Sequence, residues 1–310
     1  MRSLVTGGAG FIGSHLVDAL LQKGNEVVVL DNLATGLRDN LGGHWRDLEF
    51  VRGDIRHPHG LRKAVSEAEV VFHLAASVGR SVRFPRLDFD TNALGTLNVL
   101  RACKEEKVDR VVIASSVMVY GGLHGKRVAD ETDPPAPIIP YGASKAAAEA
   151  YAMAFHHSWN LPVVVLRYFN VYGPRASPRN PYSGVVSSFM GRAARGLPPI
   201  IFGDGLQTRD FVFVDDVVRA TVLAAEREKA LGEIINVGSG TATPIKKLAL
   251  LVLETAGLDN LKLKHSPSRP HEYRHMRARM TKAKTLLGFR PDLEIEEGLN
   301  RTWDFIRKMK

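Results

Sequence analysis

The chain has 310 residues, with 42 Lys+Arg against 33 Asp+Glu (formal net charge +9), 45% hydrophobic and 24% charged residues. This is a globular composition that excludes disordered and fibrous classes, and the length suits one large or two joined domains without covalent staples. A single cysteine, Cys103, excludes a disulfide framework and a cysteine metal site, and no apolar run approaches the ~18 residues of a membrane helix.

The chain starts directly into Leu4-Val5-Thr6 and a glycine turn, which leaves no room for a signal peptide. A cytoplasmic protein is therefore expected. Unbroken apolar or β-branched runs follow at 4–6, 26–30, 48–51, 70–74, 110–114 and 163–167. Such runs suit strands buried on both faces of a parallel sheet. Amphipathic stretches such as 12–23 and 92–106 lie between them and are long enough for crossover helices. The alternation predicts an α/β doubly wound parallel sheet. After Arg167 the rhythm gives way to a loop rich in Gly, Pro, Asn and Tyr over 168–184. A late apolar run at 233–237 reads as a strand returning to the sheet, and the remaining pieces as a smaller second lobe.

Gly7, Gly10 and Gly13 follow the first strand and open the first helix with the spacing G-x-x-G-x-x-G. Missing side chains there let backbone N–H groups and a helix N-terminus approach a pyrophosphate. Asp31 closes the second strand, where a carboxylate accepts from ribose hydroxyls and repels a 2′-phosphate, favouring NAD over NADP. Asp54, after the third strand, is placed to hold the adenine or simply to cap its loop.

Tyr141 and Lys145 are four residues apart and share one face of a predicted helix. A lysine ammonium beside the phenol, together with a cationic nicotinamide ring, is expected to lower a tyrosine pKa that is ordinarily ~10. Tyrosine then becomes a usable base. Ser116 follows the strand at 110–114, at the carboxyl end where doubly wound sheets bind ligands. Cys103 falls on a predicted helix away from these groups and is given no chemistry.

On these residues the chain resembles the extended short-chain dehydrogenase/reductases, in particular the NAD-dependent nucleotide-sugar epimerases related to UDP-glucose 4-epimerase. The matching motifs run the length of the chain: 6–13, Asp31-Asn32-Leu33, Gly53-Asp54-Ile55, His73-Leu74-Ala75-Ala76, Asn92 with Gly95-Thr96, Ser115-Ser116, Tyr141 to Lys145, 167–174, 202–205, 207–210 and Asn236-Val237-Gly238. The resemblance implies a Rossmann domain over 1–167 plus 211–241 and a nucleotide-sugar lobe over 168–210 plus 242–310. It implies Ser116, Tyr141 and Lys145 as the catalytic triad. Gly7, Gly10, Phe11, Ile12, Gly13, Asp31, Asn32, Asp54, Ile55, Leu74, Ala75, Ala76, Asn92 and Tyr168 would join Tyr141 and Lys145 around NAD. Asn170 and the turn Gly184, Val185, Val186 would face the UDP-sugar, with Phe202 against the uracil, Arg209 and Arg269 at the diphosphate and Glu272 at the ribose. No metal and no nucleic acid or membrane partner is expected. A homodimer through the helices after Asn92 and Tyr141 is implied.

Ser116 is followed by Val117-Met118, where related dehydratases carry Asp-Glu and related decarboxylases a glutamate at the second place. The expected activity is thus a UDP-hexose 4-epimerase. Alternatives are a 4-epimerase of UDP-N-acetylhexosamine or UDP-uronate, a nucleotide-sugar reductase or dehydrogenase, and a non-enzymatic NAD sensor or nucleic-acid binder. Met118 and the pair His271 and Glu272 depart from the family pattern around the sugar, and by the resemblance Met276 falls where a side chain gates the sugar's C2 substituent. Arg80 and Arg83 add charge there that would suit a uronate or simply be solvated. The positive excess is concentrated: nine Lys/Arg and one acid, Glu272, lie between Lys262 and Arg290, beside the residues expected to hold the diphosphate.

Overall fold

The computed structural model describes residues 1–78, 82–122, 128–177, 184–270 and 272–308. Seven parallel strands form the central sheet: β1 (Arg2–Thr6), β2 (Glu26–Asp31), β3 (Glu49–Arg52), β4 (Val70–His73), β5 (Arg110–Ser116), β6 (Val163–Tyr168) and β7 (Ile234–Val237). Their order is β7-β6-β5-β4-β1-β2-β3. The order reverses between β1 and β4, and a doubly wound sheet opens its ligand crevice at the carboxyl ends of such a pair. Val27, Val28, Val29, Val111, Val112, Val163, Val164 and Val165 are all fully buried, as strands covered on both faces must be.

One face of the sheet carries α1 (Phe11–Gln22) and α7 (Val214–Glu226). The other carries α2 (Pro58–Val65), α4 (Gly95–Glu105) and α5 (Pro140–Trp159). A short helix, α3 (Pro85–Asp88), runs into a π-helical turn at Phe89–Leu94 before α4. The expected single helix over 92–106 is therefore wound differently at its start. Gly95 follows the wide turn at a point where a Cβ would lie 2.7 Å from the Ile55 side chain, so the close approach there demands glycine. Cys103 is buried within this layer, and burial pushes its thiol pKa up.

A separate core lies outside the sheet, around α6 (Gly184–Ala193), α8 (Ile245–Thr255) and α9 (Ile295–Lys308). Two corrections to the sequence reading belong here. The span 168–184 is not all loop: Asn170–Tyr172 is a strand that pairs in parallel with Phe211–Phe213. The Gly184, Val185, Val186 turn is the first turn of α6, with Val186 buried in the lobe core. Three further two-stranded ladders stitch the lobe: Ile200–Phe202 with Lys264–Ser266, Thr208–Arg209 with Thr243–Pro244, and Val128–Ala129 with Arg277–Ala278.

The glycine turn is held by steric exclusion. Gly7 has φ +73°, and a Cβ on it would lie 2.7 Å from the Ala75 amide nitrogen. A Cβ on Gly13 would lie 2.1 Å from the Gly7 carbonyl oxygen. Helix and strand thus meet backbone to backbone. Gly13→Ala should destabilise the protein by about 1–3 kcal/mol through overpacking and reduce bound NAD, as thermal unfolding and cofactor content of the purified protein will register.

Candidate active site

Gly10 is the N-cap of α1; it has no capping side chain, and the first helical turn holds no acid. The first N–H groups of a helix have no partner within it, so this end is built to receive an anion. Beside it, the Asp31 carboxylate accepts from the Ala9 N–H at 3.0 Å and the Leu33 N–H at 2.8 Å. Burial raises its pKa, while those two N–H groups act in the opposite sense. Asn32 donates to Asp54, and Asp54 is gripped by Arg56 through its backbone and guanidinium, which holds the carboxyl well below its usual range. Asp54 thus caps its own loop. Phe11 and Ile12 lean on the second-lobe core, Ile55 is buried in the sheet's own core, and Leu74, Ala75 and Ala76 follow β4 at its carboxyl end.

A hydrogen-bond chain links this turn to α5, the helix of Tyr141 and Lys145. His73, fully buried at the end of β4, lies 2.7 Å from Thr6 Oγ1 through Nδ1 and 3.0 Å from Thr96 Oγ1 through Nε2. Burial holds its pKa down at about 3, so the ring is neutral. Thr96 donates to the Asn92 carbonyl at 2.6 Å. The Asn92 amide donates to Ser77 O and Ser144 Oγ, and its oxygen accepts from Ser77 N–H. Ser144 in turn donates to the Tyr141 carbonyl. Asn92 is therefore spent within the protein, fixing the loop after β4 against α5.

The carboxyl end of β5 and the start of α5 bring Ser116, Tyr141 and Lys145 together. The Ser116 hydroxyl and the half-buried Tyr141 phenol are hydrogen-bonded, and Ser116 Oγ also accepts from the Met118 N–H at 3.2 Å. Lys145, 4% exposed, donates to the Ala114 carbonyl at 2.8 Å. Burial pushes the Tyr141 phenol up to about 12, opposed by the Ser116 hydrogen bond and reinforced by the Asp88 charge. Burial lowers Lys145 to about 8, with Glu149 and Asp88 raising it. Lys145 thus donates to a strand carbonyl, and the charges of the protein without the cofactor leave the phenol above its ordinary value.

Sequence reasoning gave no role to the pair beneath this site. Glu149, one turn beyond Lys145, takes two hydrogen bonds from Arg167 of β6 at 2.9 and 2.7 Å and one from Ser115 of β5. Both partners are buried, and the Arg167 guanidinium lies 4.5 Å from the Tyr120 ring centroid. The signal was present in the chain: Tyr141, Lys145 and Glu149 recur every four residues, which puts an acid on the buried face of an alanine-rich helix.

On the lobe side, Arg209 is buried, lies 3.9 Å over the Tyr273 ring and pairs with Glu272 at 2.7 Å. Arg269 lies 4.0 Å over the Phe202 ring. Asn170 donates to the Asp210 carbonyl and is hydrogen-bonded by Tyr273. Arg209, Glu272, Tyr273 and Asn170 thus form one cluster, and Arg269 with Phe202 a second. Tyr168 does not join the site through its ring: it is buried, with its hydroxyl on Thr221 of α7, leaving only its backbone at the strand end. Met276 is buried in a cluster with Val117, Tyr120, Phe169 and Tyr273, against which Met118 packs. Arg83 lies over Phe84, whereas Arg80 and His271 fall outside the described residues. Of the basic stretch, Arg274 pairs with Asp204, Arg279 with Asp130 and Lys282 with Glu233.

Residues 3–238 match the family profile described as NAD dependent epimerase/dehydratase family. The chain belongs to this family. It is 39% identical over 313 residues to UDP-glucose 4-epimerase of Mycolicibacterium smegmatis, covering 99% of each chain. The UDP-glucose 4-epimerase of Thermotoga maritima, solved with UDP-glucose, is 40% identical with a TM-score of 0.93 over 100% of this chain and 99% of that one. The Thermus thermophilus enzyme, solved with NAD, is 41% identical with a TM-score of 0.89 over 99% of each. Relatives at lower identity include a UDP-glucuronate 4-epimerase of Thermodesulfobacterium geofontis (34%, over 96% of this chain and 94% of that one) and a dTDP-glucose 4,6-dehydratase of Streptomyces niveus (35%, over 99% and 93%). The family member is thus an NAD-dependent enzyme of the nucleotide-sugar epimerase/dehydratase type, and the open anion-accepting helix end beside Asp31 fits that cofactor.

Removing one partner of a buried ion pair strands the other charge. Glu149→Gln should therefore cost about 3–5 kcal/mol of stability, read as a large drop in the denaturant midpoint.

Proposed function

We propose that the protein is a UDP-hexose 4-epimerase of the UDP-glucose/UDP-galactose type. The observation that carries this reading is the composition of the strand end: Ser116 meets Tyr141 with Val117 buried and Met118 beside it, and no carboxylate follows Ser116. Elimination of water or loss of CO2 from a keto sugar calls for an acid there. A reversible oxidation at C4 needs only a hydroxyl and a phenol.

Ser116 holds the sugar 4-oxygen, and Tyr141 takes the proton from the 4-hydroxyl, then returns it to the 4-keto sugar after that sugar has turned over. Bound NAD would supply the acceptor and donor of the C4 hydride and, as the oxidised ring, a positive charge near the phenol. Lys145 holds the α5 end of the site against β5. Asn170, Phe202, Arg209, Arg269 and Glu272 take the UDP end, where the guanidinium forks suit diphosphate oxygens. Holding the nucleotide firmly and the hexose loosely permits rotation of the sugar. With this reading go a division at 1–167 plus 211–241 and 168–210 plus 242–310, a cytoplasmic location, and a homodimer through α4 and α5. Among the described residues no helix is long and apolar enough to cross a membrane.

Tyr141→Phe should retain NAD while turnover falls by at least about 10²-fold, the usual scale of lost acid–base catalysis; unchanged sugar interconversion by that variant would overturn the mechanism. The substrate is tested by incubating the purified enzyme separately with UDP-galactose, UDP-N-acetylgalactosamine and UDP-galacturonate and separating the 4-epimers. UDP-galactose is expected to be converted with no net change in NADH. Conversion of only one of the other two reassigns the sugar, and no conversion of any sinks the epimerase reading.

A further inference from the structure

The mechanism leaves one buried acid unused. Asp88 ends α3 and is 0% exposed, and among the described residues neither carboxylate oxygen has a hydrogen-bond partner. A carboxylate in that state is costly unless an opposite charge stands near it. The segment bearing it packs against α5, the helix of Tyr141 and Lys145, and its charge is felt by both of those side chains.

The other groups around it are already balanced. Glu149 is neutralised by the two-point grip of Arg167, and the Tyr120 ring facing Arg167 is a phenol whose pKa burial raises further. On β4, His73 faces Lys145 as a neutral ring. Arg86, on α3 itself, is tied to Asp90 of the following π-helical turn at 2.7 Å. Ser115, Ser116, Ser144 and Asn92 carry no charge. Among the described residues Lys145 has the Ala114 carbonyl as its one hydrogen-bond acceptor. Among the described residues two opposite charges are left without an ion pair, Lys145 on α5 and Asp88 on α3.

We propose that Asp88 is a positioning residue: its buried carboxylate is the counter-charge that keeps Lys145 an ammonium inside the protein, beside Tyr141. The same negative charge opposes formation of the Tyr141 phenolate. Asp88 thus trades a less acidic phenol for a lasting cation next to it. The kinetic consequence rests on the reading of Tyr141 as the base; the electrostatic pairing does not.

A double-mutant cycle tests the pairing. Thermal unfolding is measured with saturating NAD for the wild type, Asp88→Asn, Lys145→Met and the double variant. Asp88→Asn is expected to lower the melting temperature when Lys145 is present and to raise it when methionine stands there. The same effect in both backgrounds overturns the proposal. If either single variant fails to fold, the double variant should fold; its failure overturns the proposal as well. A second measurement reads chemistry. In Asp88→Asn both limbs of the pH–rate profile should move to lower pH by roughly one unit, because one lost negative charge eases ionisation of Tyr141 and deprotonation of Lys145 together. A lower plateau with both limbs in place would be a purely structural effect and would count against Asp88. The cycle needs no substrate, so a wrong sugar assignment and a wrong role for Asp88 give different results.

Discussion

Everything at the catalytic centre stands on the grip of Arg167 on Glu149. The two carboxylate oxygens take two guanidinium hydrogen bonds and one from Ser115, all out of water. That contact pins α5 simultaneously to β5 and β6. Lys145 lies one turn back from Glu149, and Tyr141 two turns back, so their height above the sheet is fixed by the pin. Ser116, one residue beyond Ser115, then meets the phenol with no freedom left in either element. A buried pair of this kind adds little net stability over apolar packing, yet it tolerates only one register of helix on sheet.

The cofactor side is fixed by different means. Steric exclusion at Gly7 and Gly13 brings α1 down onto β1, and neutral His73 carries that position through Thr96 and Asn92 to Ser144 on the catalytic helix. The two halves of the site are thus one hydrogen-bonded unit. Electrostatically the unit is held back. Burial pushes the phenol up to about 12; in the proposed mechanism the oxidised cofactor would supply the positive charge that brings it down, and would so tie proton abstraction to the presence of the hydride acceptor.

The sheet was legible in the sequence because strands covered on both faces are written as unbroken apolar runs, and no other short pattern mimics them beside a glycine turn. The strand Asn170–Tyr172 was not, since three residues pairing with one neighbour carry no periodicity. The π-helical turn at Phe89–Leu94 was hidden for the same reason. Within the site, spacing along α5 located Tyr141 and Lys145, but it could not say that Lys145 would turn to the Ala114 carbonyl. For Tyr168 the motif names the residue without saying which face of the strand its ring takes, and the ring takes the buried one. Glu149 and Asp88 were passed over as ordinary helix acids; only burial distinguishes them from solvated ones.

Asn170, Phe202 and Arg209 each stand on a two-stranded ladder outside the main sheet. A replacement at any of them disturbs a single neighbouring strand and leaves the pinned helix and the glycine turn untouched. In the proposed reading these residues grip the nucleotide, so that grip is free to change under selection while the helix bearing Tyr141 keeps its place. An architecture divided in this way lets one oxidising centre be joined to more than one kind of nucleotide end.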